Sequence, residues 1–235
     1  MTNAQKSIKI AIAWCLAWGE KRQPQIDSKV LQQMRQALAD GREIPEETKS
    51  LVEQVQKLCL ITDKDLKTTR NIADIQVKYP ELWQQNISIG LVYGGVTKVK
   101  QYVFESAKLP EIRGASALLD RINLVDLPAF FHGEEDNRFC QCQQARKYCE
   151  QVRDELNNPD LFKALIPELI IYSTGGNILA LCPVAFVDDL ANVIERRYTE
   201  ETITANSCAV GDTFRLSEFR LGLLAKDLEK TPYLD

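Results

Sequence analysis

Leu169 to Pro183 reads LIIYSTGGNILALCP, two short apolar runs on either side of Gly175-Gly176-Asn177. Ile170, Ile171 and Tyr172 favour a pleated strand, and Ile178 to Cys182 can form a second. The paired glycines supply the positive φ that a tight connection needs. The stretch is expected to be a β-hairpin with its tip displayed, either as a plain turn or as a presenter of groups to a ligand.

On the C-terminal side, Ala185 to Tyr198 reads as an amphipathic helix through Phe186, Leu190, Val193 and Ile194. Arg196 and Arg197 fall near its C-terminus, where positive charge complements the helix dipole. Thr202 to Val210 is β-favouring and ends at Gly211, and Leu216 to Leu228 has a helical pattern. On the N-terminal side, Arg138 to Leu156 is a charged helix stopped by Asn157, Asn158 and Pro159, preceded by a polar loop at Gly133 to Asn137. Further back, Ile112, Ala115, Leu118, Leu119 and Ile122 share one helical face. Ile87 to Val96 (ISIGLVYGGV) reads as a buried strand ending in Gly94-Gly95, where backbone can approach another chain or a ligand closely. From Ile87 the order is strand, helices, strand, turn, strand, helix, strand, the β-α-β-β-α-β ferredoxin-like arrangement found in palm domains.

The first 86 residues are mainly helical. Ile8 to Trp18 stops at Gly19, Asp27 to Ala39 ends at Asp40-Gly41, and Pro45 to Leu60 carries Leu51, Val52, Val55 and Leu58 at helical spacing. Leu66 to Tyr79 is less periodic, and Pro80 opens a short connection containing Trp83. The expected organisation is α+β, with a helical region over 1–86 and a palm-like ferredoxin-fold domain over 87–235.

Composition narrows the chemistry. The chain has 235 residues, 45% of them hydrophobic, and a net charge of −4, so nucleic-acid binding would require a local basic surface or a larger assembly. No apolar run reaches the roughly 18 residues of a membrane span, and Met1 to Ile10 lacks the apolar core of a signal peptide, so a cytoplasmic setting is expected. The seven cysteines then fit a reducing compartment. Cys140, Cys142 and Cys149 lack the paired spacing of a zinc knuckle and read as ordinary thiols. The single histidine, His132, cannot supply a histidine-aspartate nuclease, which needs several such ligands, and reads as a loop residue. Lys98, Lys100, Lys108 and Arg121 read as a solvated face, with contact to RNA as the alternative.

Candidate ligand-contacting residues gather at three ends: Gly94, Gly95 and Thr97 after the first strand, Arg113, Gly114 and Ser116 early in the following helix, and Gly175, Gly176 and Asn177 at the hairpin. A hydroxyl, a guanidinium and small residues suit phosphate or ribose contact, and they equally suit a close helix-to-strand crossing. In palm enzymes, carboxylates at the end of the first strand and at the hairpin tip hold two divalent metals for phosphoryl transfer. The matching positions here are Gly95 and the pair Asn177, Ile178. None is a carboxylate, and a neutral amide cannot supply the charge that holds Mg²⁺ beside a triphosphate. A palm with this tip is expected to be catalytically poor or inactive.

YVFESAKLPEIRGASALLDRIN at 102–123 and YSTGGNILALCP at 172–183 closely resemble the large palm-domain subunit of type III CRISPR effector complexes, in the region of its first palm. The resemblance covers Ile87 to Gly211 well and the helical N-terminus more loosely. It implies a subunit of an RNA-guided antiviral ribonucleoprotein whose partners are other effector proteins, guide RNA, target RNA and a second palm. In the complete family subunit that second palm carries a GGDD hairpin and makes cyclic oligoadenylate from ATP with Mg²⁺, and many members add an N-terminal histidine-aspartate nuclease. Here the hairpin is Gly175-Gly176-Asn177-Ile178, the nuclease histidines are missing and no GGDD occurs. The resemblance therefore implies an incomplete subunit, either the N-terminal part of a longer protein or the product of a split gene. The end at Lys230 to Asp235 leans toward the first. The nine candidate residues would then form one wall of a composite ATP pocket without performing chemistry, and no cofactor is certain for this chain alone. Two alternatives are an independent nucleotidyl cyclase, which needs tip carboxylates, and a free-standing RNA-binding module. The latter needs aromatics on the sheet face, where only Tyr93 and Tyr172 stand out.

Overall fold

Three helices begin the chain in the computed structural model, which describes residues 3–61, 72–132 and 143–221. Helix α1 spans Asn3–Trp18 and is buried at every residue from Ile10 to Trp18, as its unbroken apolar run requires. Gly19 closes it with φ 86°, its N–H on the Cys15 carbonyl at 3.1 Å. Helix α2 (Ser28–Asp40) is capped by the Asp27 carboxylate, which accepts the Lys29 N–H at 2.8 Å, and by Gly41 at φ 72°. Helix α3 (Glu46–Leu60) starts after Pro45. Leu31, Met34 and Ala37 of α2 and Val52, Val55 and Leu58 of α3 are buried, and both helices pack against α1. Ile72–Lys78 forms α4 and Glu81–Gln84 forms α5, which ties to α3 through Lys57 and Glu81 at 2.7 Å. The first residues of the expected 66–79 segment lie outside the described residues.

Strands β1 (Ser88–Val96), β2 (Ile170–Thr174), β3 (Asn177–Pro183) and β4 (Ser207–Arg215) form one sheet in the order β2-β3-β1-β4. Gly95 lies against Asn177 and Gly90 against Cys182, so β1 and β3 run antiparallel; Gly94 against Ala209 and Gly211 against Val92 give the same sense for β1 and β4. The β2–β3 pair is antiparallel as well. The chain is thus α+β, a helical N-terminal region followed by a four-stranded antiparallel sheet with helices.

Between β1 and β2 lie α6 (Val99–Val103), α7 (Leu109–Arg121), a π-helical turn at Ile122–Asp126, a helical turn at Leu127–Ala129, α8 (Gln143–Leu156) and α9 (Pro159–Ala164). Between β3 and β4 lies α10 (Val187–Thr202), and α11 (Glu218–Leu221) follows β4. Helix α10 packs on the sheet where β1 has no side chain, for a Cβ at Gly90 would overlap Val187 and one at Gly94 would sit 2.8 Å from Ile194 Cγ2.

Two expected boundaries move. Helix α10 continues to Thr202 rather than stopping at Tyr198, because the Thr202 hydroxyl bonds the Tyr198 carbonyl at 2.7 Å and stays in the last turn. The final strand therefore starts at Ser207 and runs through Gly211, which was expected to end it. A Cβ at Gly211 would overlap Val187 Cγ1, so this glycine makes room for the helix. The polar loop over 133–137, Cys140, Cys142 and the later part of the 216–228 segment lie outside the described residues.

Compactness separates Gly90–Asp212 as one unit from Met1–Ile89 together with Thr213–Asp235. Among the described residues no helix is long and apolar enough to cross a membrane.

Candidate functional site

The hairpin tip is built by two glycines in the left-handed region, Gly175 at φ 64° and Gly176 at φ 86°, the signs that a type I′ turn needs to match strand twist. Thr174 pairs with Asn177, Ser173 with Ile178 and Tyr172 with Leu179; a bulge then brings Ile170 opposite Ala180 and leaves Ile171 as the extra residue. The tip bends over the end of β1. The Gly176 carbonyl accepts the Val96 N–H at 2.9 Å, and a Cβ at Gly95 would overlap both that carbonyl and the Asn177 amide oxygen. On the other side, the Thr97 N–H and hydroxyl both bond the Asn206 carbonyl, at 2.7 and 3.1 Å.

Gly94, Gly95, Thr97, Gly175, Gly176 and Asn177 therefore meet at one end of the sheet, where β1 stops and the β2–β3 hairpin turns. Asn177 is held by its neighbours: its Oδ1 accepts the Tyr93 hydroxyl at 3.1 Å, and its Nδ2 reaches the Gly175 carbonyl at 3.4 Å. This end offers neutral oxygens and backbone groups, which can orient a sugar, base or phosphate but carry no negative charge for a cation. Among the described residues no group of three or more His, Cys, Asp or Glu is arranged to hold a metal ion.

Arg113, Gly114 and Ser116 lie on the exposed face of α7, whose inward face carries Leu119. A Cβ at Gly114 would meet nothing within 4 Å, so this glycine does not serve a tight helix crossing. Among the described residues none of the three makes a hydrogen bond or ion pair to the tip.

Two arrangements go beyond the reading of the sequence, which named Tyr93 and Tyr172 on the sheet face without aligning them. The register that sets Gly95 against Asn177 and Gly94 against Ala209 aligns Val210, Tyr93, Leu179 and Tyr172 in one row on the face opposite α10. Tyr93 and Tyr172 remain 44% and 40% exposed there, and the alternation of β1 was the available signal.

The second arrangement is a buried ionic cluster on the π-helical turn. Asp126 is fully buried and bonded by Arg197 Nε at 2.9 Å and by the Tyr148 hydroxyl at 2.9 Å. Arg197, expected near the helix terminus as a dipole partner, instead points inward and also pairs with Glu155 at 3.1 Å and Glu201 at 3.0 Å. Arg121 pairs with Glu201 and lies 3.7 Å from Asp126, so it is part of this cluster rather than of a solvated face. Burial, the largest single effect, would lower the Arg197 pKa, but the charge and hydrogen bond of Asp126 together with the charge of Glu201 outweigh it and the guanidinium stays firmly protonated. Beside it, Asn123 accepts the Tyr198 hydroxyl at 2.8 Å, donates to the Leu119 carbonyl at 2.8 Å, and offers its own carbonyl to the Ser173 hydroxyl at 2.5 Å. An acid within the apolar stretch INLVD was the only hint of this cluster in the sequence.

His132 follows the helical turn, where its carbonyl accepts Arg153 Nη1 at 2.7 Å. Cys149 is buried beside Ala129. Comparison of the chain with protein-family models, curated proteins and solved structures finds no match.

Proposed function

We propose that the chain is a subunit, or part of the large subunit, of an RNA-guided type III CRISPR effector complex, in which residues 90–212 act as a non-catalytic first palm. The observation that supports this reading is the strand order β2-β3-β1-β4, with helical crossovers before β2 and after β3, an order that a ferredoxin-like palm would have. The two segments that resemble the family sit within that unit, one on α6 and α7 and the other on the hairpin. In this reading the tip corresponds to the place where an active palm holds Mg²⁺; Gly95 brings no side chain and the Asn177 amide is occupied by Tyr93 and Gly175. The chain works as a scaffold in the cytoplasm, and its hairpin edge is one wall of a nucleotide site completed by a carboxylate-bearing second palm. ATP and Mg²⁺ belong to that complete site.

The test is ATP titration of the purified chain by calorimetry, alone and with a GGDD-bearing second palm, alongside a turnover assay in Mg²⁺ and Mn²⁺. Binding that needs the second palm, with no turnover by the chain alone, is expected. ATP turnover by the chain alone points instead to an independent cyclase, and failure to associate with effector subunits removes the assembly role.

A further inference from the structure

The segment from Lys98 to Ser116 forms an elbow in which α6 packs against α7. Two large apolar side chains stand in solvent at this elbow, Phe104 at 65% exposure and Leu109 at 57%. Burial of such side chains is worth about 1.5–3 kcal/mol each, so two of them left exposed on one elbow are apolar surface that the fold itself does not use. Around them are four cations, Lys98, Lys100, Lys108 and Arg113, against two carboxylates, Glu105 and Glu111, a local excess of two positive charges on a chain of net charge −4. Lys108 lies 3.3 Å from Glu111. Among the described residues Lys98, Lys100 and Arg113 have no carboxylate partner.

The backbone presents these groups in a fixed way. Lys98 adopts φ 55°, a region that side chains other than Gly, Asn and Asp seldom enter, and its carbonyl is held by the N–H groups of Gln101 and Tyr102 at 2.9 and 3.2 Å. The Phe104 N–H bonds the Lys100 carbonyl at 3.0 Å and closes α6. Leu109 and Arg113 are one helical turn apart on α7 and share its outer face with Ser116 and Ala117, all of them exposed. An exposed aromatic ring on the same elbow as cations without a carboxylate partner offers the two things a single-stranded nucleic acid needs, a flat surface for a base and positive charge for phosphates.

We infer that the α6–α7 elbow binds single-stranded RNA, with a base stacked on Phe104 and backbone phosphates met by Lys98, Lys100 and Arg113. The inference goes beyond the nucleotide edge, because no residue of the hairpin tip takes part and Arg113 is the one candidate nucleotide contact that it reassigns. Charge favours RNA over a protein partner here, since an apolar protein contact has no use for three unpaired cations.

Fluorescence anisotropy of the full chain with a labelled oligouridine of about 20 nucleotides, over a series of KCl concentrations, tests it. The triple variant Lys98→Ala, Lys100→Ala, Arg113→Ala is expected to weaken binding at least about tenfold and to flatten the log–log salt dependence by about two. Phe104→Ala should weaken binding about 5- to 150-fold with the salt slope unchanged, as loss of stacking requires. Lys147→Ala, an exposed cation on α8, should change little. Circular dichroism of each variant confirms folding. Three results overturn the inference: no RNA binding by the native chain, equal losses from Lys147→Ala and the triple variant, or unchanged RNA affinity in Phe104→Ala and Leu109→Ala while association with effector proteins fails. The last assigns the elbow to a protein partner, and none of the three bears on ATP binding at the hairpin.

Discussion

Arg197 Nη2 lies 2.8 Å from Asp126 Oδ2, with the two side chains 3% and 0% exposed. The pair links the middle of α10 to the π-helical turn that follows α7. Neither charge would be tolerated there alone, because desolvating an ion costs several kcal/mol unless a partner and hydrogen bonds replace its water. Tyr148, Glu155 and Glu201 complete that replacement.

Arg197→Ala is expected to destabilise the fold by about 3–5 kcal/mol, the usual cost of stranding a buried charge. Urea unfolding followed by circular dichroism measures it. A loss below about 1 kcal/mol is the value of an exposed pair and would mean that water reaches Asp126.

The alkaline limb of stability should report on Tyr198 and Cys182. Burial raises both pKa values. The unfolded chain therefore loses these protons first. Their contribution is fully present below the unfolded values, about 8.5 for Cys and about 10 for Tyr, and declines above them. Tyr198→Phe should make the decline less steep near the tyrosine value while lowering stability at neutral pH, since it leaves the buried Asn123 oxygen without its donor. Unfolding free energies measured between neutral and strongly alkaline pH provide the comparison.

Glu155 has the opposite sign. Its pKa is lowered by the Gln151 hydrogen bond and then by Arg197. Its contribution is present above the unfolded carboxylate value of about 4.3 and is lost as pH falls through the lower folded value. Glu155→Gln should weaken the acid dependence in that window, and an unchanged acid transition would show that the pairing with Arg197 has no weight in solution.

Two glycines should respond to alanine in opposite directions. Gly95→Ala places a Cβ inside the Gly176 carbonyl and the Asn177 amide, and is expected to cost about 1–3 kcal/mol. Gly114→Ala meets nothing within 4 Å inside α7 and should stabilise by about 0.5–1 kcal/mol through helix propensity. Thermal unfolding of the two variants side by side distinguishes the packed glycine from the idle one.

Much of the fold was legible because local rules agree with it. Asp27 and Gly41 bound α2, Gly19 ends α1, and Gly175-Gly176 close the hairpin, each through a backbone requirement carried by one or two residues. The strand boundary at Thr202 was misread because β-branched propensity is weak beside a hydroxyl that can bond the preceding turn. Of the nine candidate site residues, six meet at the hairpin edge, since strand neighbours follow from the hairpin register. Arg113, Gly114 and Ser116 do not join them in any hydrogen bond or ion pair, because the rotation of a helix about its axis depends on what its apolar face packs against.

The sequence by itself determined the helical N-terminus, the displayed Gly-Gly-Asn hairpin and the absence of a carboxylate at its tip, because these follow from residue identity and spacing along the chain. Only the tertiary structure decided that Asn177 is bound by Tyr93, that Arg197 turns inward to Asp126, and that Phe104 and Leu109 stay in solvent. Each of those outcomes depends on which groups from distant segments share a few ångströms of space, and that distance is fixed by packing rather than by local preference.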